Sequence, residues 1–263
     1  MLANITLDGL ERRIRKTFPL VGPGSTPWRD AGVFLVRYAD DFVITASNRE
    51  LLESKVRPLV EEFLLQRGLE LSKEKTRITH LSEGFDFLGQ NVRSFRSKTI
   101  IRPSGKNIKR FLDRLRTLIK ANAQATTANL IRLLNPKVRG WANYHRHVCS
   151  KDTFEHVDKQ LFDCLWRWAR RRHLRDGKGA KWVAQRYFTS KDNQRWAFYG
   201  DEAAPSGQPK RLWLYQAAST PIKRHYKIKG DANPYSPAWQ EYFHRRRKGG
   251  LEETLTGAYY SAL

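Results

Sequence analysis

Two aspartates, Asp40 and Asp41, follow Tyr38 and Ala39 between two runs of β-branched and aromatic residues, Val33-Phe34-Leu35-Val36-Arg37-Tyr38 and Phe42-Val43-Ile44-Thr45-Ala46. Such runs read as strands, and the residues between them are few enough to close a tight hairpin. Adjacent carboxylates held rigidly at a strand junction suit divalent cations: two Mg2+ ions roughly 3.5–4 Å apart can activate a hydroxyl nucleophile and neutralise a leaving phosphate. An Asp-Asp pair is also ordinary turn chemistry. The apolar flanks weigh against that plainer alternative, because carboxylates at the end of an apolar hairpin repel one another and lose hydration unless a cation joins them. Both runs are apolar at nearly every position, so other elements are expected to cover most of both hairpin faces.

Those elements can be traced on either side. A short amphipathic piece, Leu2 to Ile14, precedes a loop of turn formers at Gly22-Pro23-Gly24-Ser25-Thr26-Pro27. After the hairpin, Ser47 with Glu50 has the spacing of a capping box, and Leu52, Val56, Leu59, Val60 and Phe63 recur at helical intervals until Gly68. Pro58 inside that pattern is expected to kink the axis, at a cost of ~3 kcal/mol. Short extended pieces follow near 69–71, 76–79, 85–88 and 99–101, so the first hundred residues read as α+β. Beyond Pro103 the period turns helical. Ile108, Phe111, Leu112, Leu115, Leu118 and Ile119 mark one helix; a second starts near Thr127, is interrupted at Asn135-Pro136 and resumes from Val138 to Val148; a third spans Thr153 to His173. From Lys181 the pattern weakens into aromatic segments divided by a Pro/Gly loop at 204–209, and the last thirty residues, with Arg245-Arg246-Arg247-Lys248-Gly249-Gly250, look like a linker.

Charge limits the partners. Lysine and arginine number 49 against 26 acids, a formal net charge of +23 that points to a polyanion. Aromatics, 12% of residues, add surfaces on which bases stack, which favours single-stranded or structured RNA. No run approaches 18 apolar residues and no lipidation signal is present, so a membrane is disfavoured. Two cysteines, Cys149 and Cys164, form neither a disulfide framework nor a CxxC pair, and no secretory signal is read at the N-terminus, which suggests the cytoplasm. His145, His147 and Cys149 have one helical turn of metal-like spacing but lack a second pair of ligands.

The order of motifs then becomes specific. Tyr38-Ala39-Asp40-Asp41 in an apolar hairpin, Gly68-Leu69-Glu70-Leu71-Ser72-Lys73-Glu74-Lys75-Thr76-Arg77-Ile78, and Gly84-Phe85-Asp86-Phe87-Leu88-Gly89 resemble the later blocks of a group II intron reverse transcriptase. Leu133-Leu134-Asn135-Pro136-Lys137-Val138-Arg139-Gly140-Trp141-Ala142-Asn143-Tyr144-His145-Arg146 and Leu165 to His173 resemble the maturase, or X, region of the same family. The resemblance covers about residues 1–190. It implies an α+β fold in three parts: a partial polymerase palm at 1–102, an all-α thumb/maturase module at 103–190, and a basic, irregular extension at 191–263 leading toward a DNA-binding or endonuclease region.

Carried over by position, the resemblance makes Asp40 and Asp41 metal ligands and catalytic carboxylates. Lys75 becomes a catalytic lysine near the incoming nucleotide's phosphates, and Phe87, Leu88 and Gly89 the hairpin that grips the primer end; the plainer alternatives are a solvated lysine in a charged turn and an ordinary strand and bulge. Arg139, Trp141, Tyr144 and Arg146, with Arg170, Arg171 and Arg172, become RNA-binding residues; the plainer alternative puts the aromatics in the helix core. Family members carry a first metal-binding aspartate and the fingers upstream of the blocks found here, so the Mg2+ site is expected to be incomplete. The implied activity is that of an RNA-directed DNA polymerase, a nucleotidyltransferase of a mobile element, which also assists RNA splicing. Its implied partners are group II intron RNA, a DNA primer or target, and a complementing N-terminal half. Alone, the chain is expected to bind RNA and not to polymerise. The alternatives are a non-functional remnant of a truncated mobile element and a defence or retron-type reverse transcriptase fragment; the latter is not expected to carry the Trp-Ala-Asn-Tyr-His block.

Overall fold

A computed structural model describes residues 5–19, 32–96, 98–191, 194–202, 209–224, 228–229 and 232–247. The turn-forming loop at 22–27, residues 204–208 of the Pro/Gly loop and the tail from Lys248 lie outside the described residues. The architecture is mixed α and β, in two compact units, Met1–Phe87 and Leu88–Leu263.

In the first unit, helix α1 (Leu10–Thr17) starts at Gly9, whose φ of 87° breaks the expected longer helix. Strands β1 (Phe34–Tyr38) and β2 (Asp41–Thr45) pair antiparallel, with Leu35 opposite Ile44 and Tyr38 opposite Asp41. Helix α2 runs as Arg49–Leu51, a π-helical stretch Leu52–Val56, and Arg57–Leu65. Its cap is Asn48, whose side chain accepts from Leu51 N at 2.8 Å, so the Ser47–Glu50 capping box does not form. The proline expected to kink this helix sits at the start of its final segment, directly after the π-helical stretch. The shift in hydrogen-bonding register there accommodates a residue that has no N–H to donate. Leu10, Ile14, Val33, Val56, Val60 and Phe63 form the core, with Leu35, Phe42 and Ile44 packed against it. That core covers one face of the hairpin. Along β1 burial alternates, and Phe34, Val36 and Tyr38 stay exposed, contrary to the expectation of cover on both faces. Residues 69–71 and 76–79 are not strands; β3 (Phe85–Phe87) closes the unit.

The second unit opens with the turn Leu88-Gly89 and a hairpin of β4 (Gln90–Phe95) and β5 (Lys98–Pro103). Helix α3 (Gly105–Ala121) follows, capped by the Ser104 hydroxyl, then α4 (Thr127–His145), capped by Thr126, and α5 (Lys151–Arg172). Phe111, Leu115, Leu130, Leu134, Val138, Phe154, Leu161 and Leu165 join them in one core. The expected break at Asn135-Pro136 is absent. Pro136 lies on the exposed side of α4, while Asn135 is anchored across 78 residues: its amide donates to Trp213 O at 2.9 Å, and its carbonyl oxygen accepts from Tyr215 N at 2.7 Å. Tertiary bonds thus hold straight a turn that local propensity would open.

The segment beyond 180 is more regular than its sequence suggested. Helix α6 (Ala180–Tyr187) leads into an antiparallel sheet of β6 (Phe188–Lys191), β7 (Gln194–Glu202) and β8 (Lys210–Trp213), and Phe188, Phe198 and Ala217 belong to the helical core. At least as far as Thr220, the chain therefore is not an irregular extension. Gly200 permits this packing, since a Cβ there would lie 2.5 Å from Ala128 N and 2.8 Å from Thr127 C, at the start of α4. Helix α7 (Gln240–Arg247) comes last.

Candidate functional site

The two-residue turn Ala39-Asp40 joins β1 to β2, with Ala39 at φ 55°, a left-handed conformation unusual for a residue with a Cβ. Asp41 begins β2 opposite Tyr38 on the uncovered face, and Asp40 occupies the turn; both are exposed. Their carboxylates are hard oxygen donors of the kind Mg2+ takes. Among the described residues no third histidine, cysteine, aspartate or glutamate joins them in a group that could hold a metal ion, so the pair supplies at most two side-chain ligands. Lys75 is exposed in the turn after Ser72, and among the described residues no hydrogen bond or ion pair links its side chain to either aspartate.

Within the second unit, Gly89 and Trp141 meet at Asn107, with the Leu88–Tyr144 pair beside them in sequence. Leu88 and Gly89 form a turn with φ of 49° and 75°, and Phe87 is half-buried at the end of β3. The Tyr144 hydroxyl donates to Leu88 O at 2.7 Å, and Ser104 N donates to Gly89 O at 3.0 Å. A Cβ on Gly89 would meet Asn107 Nδ2 at 2.7 Å, so the Asn107 side chain would have to shift, and the left-handed backbone there favours glycine in its own right. Asn107 Oδ1 accepts from Trp141 Nε1 at 2.8 Å and lies 3.2 Å from His145 Nε2; Gln90 Nε2 lies 2.8 Å from His147 Nε2. Trp141 is stacked on Phe111 at 4.6 Å with its edge toward Phe154. Ring face and N–H are both used inside the protein, the core alternative weighed for this residue.

His145 is fully buried. Burial, and secondarily the charge of His147, lower its pKa to about 4, so it is neutral at physiological pH. Cys149 is exposed and its backbone N–H donates to Ile101 O; no metal cluster forms with His145 and His147 among the described residues.

The basic residues separate by environment. Arg170 and Arg171 are exposed on α5, whereas Arg172 donates to Ala123 O and Ala125 O at 2.8 and 2.9 Å and lies over the Trp168 ring. Arg139 is exposed with its guanidinium 4.8 Å over the Tyr215 ring; Arg146 is half-buried and its carbonyl accepts from Lys223 N. One important group escaped the sequence reading. Asp158 accepts Ala217 N and Ala218 N, both at 2.8 Å, tying a 3-10 turn to α5. Burial raises its pKa to about 6 against the opposing pull of those N–H groups. Its signal was available, since residue 158 lies on the same helical face as the buried Phe154, Val157 and Leu161.

Comparison with known families agrees with both halves of this layout. The model for reverse transcriptase (RNA-dependent DNA polymerase) matches residues 1–92, and that for the group II intron, maturase-specific domain matches residues 108–188. The chain belongs to the group II intron reverse transcriptase/maturase family. It is similar to the group II intron-encoded protein LtrA of Lactococcus lactis subsp. cremoris, at 32% identity, in a match that covers 42% of this chain and 23% of that protein. The same-named protein of strain MG1363 matches to the same extent. Among the described residues, no helix is long and apolar enough to cross a membrane.

Proposed function

We propose that this chain binds group II intron RNA through its helical unit, assisting splicing, and carries in its hairpin part of the metal site of an RNA-directed DNA polymerase. In this reading residues 1–102 are palm, 103–190 thumb and maturase module, and 191–263 an extension. Asp40 and Asp41 are the residues that would hold Mg2+. The ion, when bound, supplies charge neutralisation at the reacting phosphate. Lys75 contributes a cation toward nucleotide phosphates, and the Phe87-Leu88-Gly89 turn supports the primer end. Arg139, Arg146, Arg170 and Arg171 neutralise RNA phosphates, and Tyr144 offers an exposed ring edge. A DNA primer or target and a complementing N-terminal polypeptide are the further partners of this scheme, set in the cytoplasm.

The observation that carries the reading is the exposed acid pair at a rigid hairpin in a chain that also presents a cationic helical unit. Two measurements test it. RNA affinity of the full chain is expected to fall with log salt at a slope of roughly 0.7 per phosphate neutralised; salt-independent binding contradicts the RNA assignment. Primer extension with Mg2+, with an N-terminal half supplied in trans, is expected to disappear in Asp40→Ala, Asp41→Ala, and extension by that variant at the wild-type rate contradicts the metal assignment.

A further inference from the structure

Leu88 is a poor residue for the backbone it adopts. Its φ of 49° is left-handed, which its side chain disfavours, and the left-handed pair Leu88-Gly89 is a turn that Asn-Gly would form on local grounds alone. A residue of this kind stays left-handed only where its surroundings over-determine it. Both carbonyls of the turn are taken from outside it. The Tyr144 hydroxyl, 56 residues away in sequence, donates to Leu88 O at 2.7 Å, and Ser104 N donates to Gly89 O at 3.0 Å. Asn107, whose Oδ1 accepts from Trp141 Nε1 at 2.8 Å, packs its amide against Gly89. Tyr144 is aimed in turn: its ring stands perpendicular to those of His145 and His147, with centroids at 4.8 and 6.4 Å. The ring is 50% exposed and lies outside the hydrophobic core of the unit, so the hydroxyl bond adds little to burial and much to the placement of Leu88.

We infer that Tyr144 is a positioning residue for primer extension, whose hydroxyl, together with Asn107, holds the Leu88-Gly89 turn in the geometry that supports the primer end. The inference rests on the polymerase reading above and names what sets its primer turn. In this role Tyr144 touches neither primer nor nucleotide; it acts through Leu88. Misplacing a reacting group by ~1 Å costs about a hundredfold in rate, so a turn that supports a reacting end has to be fixed. The sequence Leu-Gly does not fix it, and a directional O–H···O bond from the last turn of α4 does. The turn and the end of α4 therefore form one mechanical unit, although 56 residues separate the bonded pair.

The test removes one oxygen atom. In the full chain, Tyr144→Phe keeps the ring and its histidine contacts. Amide exchange at Ser104, whose N–H reports on Gly89 O, is expected to quicken by about tenfold, the equivalent of one hydrogen bond. Exchange at Leu134, buried in the middle of α4, should keep its wild-type rate. With an N-terminal half supplied in trans and a DNA primer on an RNA template, kcat should fall by about tenfold while KM for the primed template moves by less than about twofold, because the order lost is at the reacting end. Leu88→Asn, which favours the left-handed turn by itself, should shrink the Tyr144→Phe effect on kcat to less than about twofold. A Tyr144→Phe protein with wild-type kcat overturns the inference and leaves the polymerase reading intact. So does exchange that quickens equally at Leu134, which would make Tyr144 a general stabiliser, or a kcat loss undiminished in the Leu88→Asn background. A raised KM at wild-type kcat would make the hydroxyl a primer contact and overturns the positioning role. Wild-type protein that extends no primer overturns the polymerase reading and the inference together.

Discussion

At the Tyr38–Asp41 hairpin the polar side chains stand in solvent, whereas around Asn107 the protein uses them up on one another. Asp40 and Asp41 are exposed, and Tyr38 beside them is 66% exposed. Asn107, Trp141, Tyr144, His145 and the Leu88-Gly89 turn form a set in which donors meet acceptors at 2.7–3.2 Å, with the buried His145 Nδ1 the exception, left without a hydrogen-bond partner. The difference separates two uses of polar chemistry. Groups left in solvent contribute little to folding and stay free for a ligand, while groups consumed internally fix geometry, and removing one leaves a buried partner unsatisfied. Stability and binding should thus respond to different substitutions.

The strongest test of that separation lies where backbone packs on backbone. Gly200→Ala would force a methyl group to within 3 Å of Thr127 and Ala128 backbone atoms, which cannot yield as a flexible side chain can. A loss of about 3 kcal/mol or more in unfolding free energy is expected, read from denaturant titration. A variant as stable as wild type would show that β7 does not seat against α4.

Next in size is a pH response made of two opposing parts. His145 is held at about 4 in the fold, below the ordinary 6.5, so unfolded chains bind its proton first. Its contribution is complete above pH 6.5 and is lost as pH falls through about 4, up to about 3 kcal/mol at ~1.4 per pH unit. Asp158, raised from 3.8 to about 6, acts in the other direction, because the folded chain binds its proton first; its contribution is greatest below 3.8 and is lost as pH rises through about 6. Over pH 4–6 the two slopes partly cancel. Asp158→Asn is expected to steepen the acid loss, His145→Gln to reverse its sign, and parallel curves for all three proteins would refute both placements.

What could be read in advance followed how local each determinant was. The hairpin register rests on neighbouring residues, and Asp40 and Asp41 fall at the strand junction as their flanks suggested. Helix α3 likewise follows the period of Ile108, Phe111, Leu112 and Leu115. Pro136 was misleading, because the bonds that keep α4 continuous come from Trp213 and Tyr215. The β6–β8 sheet was obscure for a similar reason: Trp196-Ala197-Phe198-Tyr199 shows no alternation, and its strand character depends on partners elsewhere in the chain. Trp141 gave no sign of which side it would face, since a tryptophan beside arginines suits stacking on bases and stacking on Phe111 equally well.

The arginine triplet gives a smaller contrast within three consecutive residues at the end of α5. Arg172→Gln removes two charge-assisted bonds to the Ala123 and Ala125 carbonyls, and a loss of about 1.5–3 kcal/mol is expected in denaturant titration. Arg170→Gln and Arg171→Gln should each leave stability within about 0.5 kcal/mol while lowering the salt slope of RNA binding by roughly 0.7. If Arg172 carried the slope and its neighbours the stability, the division between consumed and free groups would be inverted on this helix.

The smallest effect on folding is expected at the acid pair itself. Asp40→Asn, Asp41→Asn retains side-chain shape and turn chemistry and removes only charge, and both positions are exposed, so unfolding free energy should change by less than about 0.5 kcal/mol without Mg2+. Any change should be favourable, since adjacent like charges are relieved. With Mg2+ the proteins should diverge. An ion that binds only the folded state stabilises it by about 1.4 kcal/mol at ten times its dissociation constant, and the double variant should forfeit that increment because a neutral amide is a poor partner for a hard dication. A variant that loses stability without Mg2+ would mean the carboxylates serve the fold; one that retains the Mg2+ increment would mean the ion binds elsewhere. Only silence in the first condition combined with loss in the second fits two acids kept free in solvent for a metal.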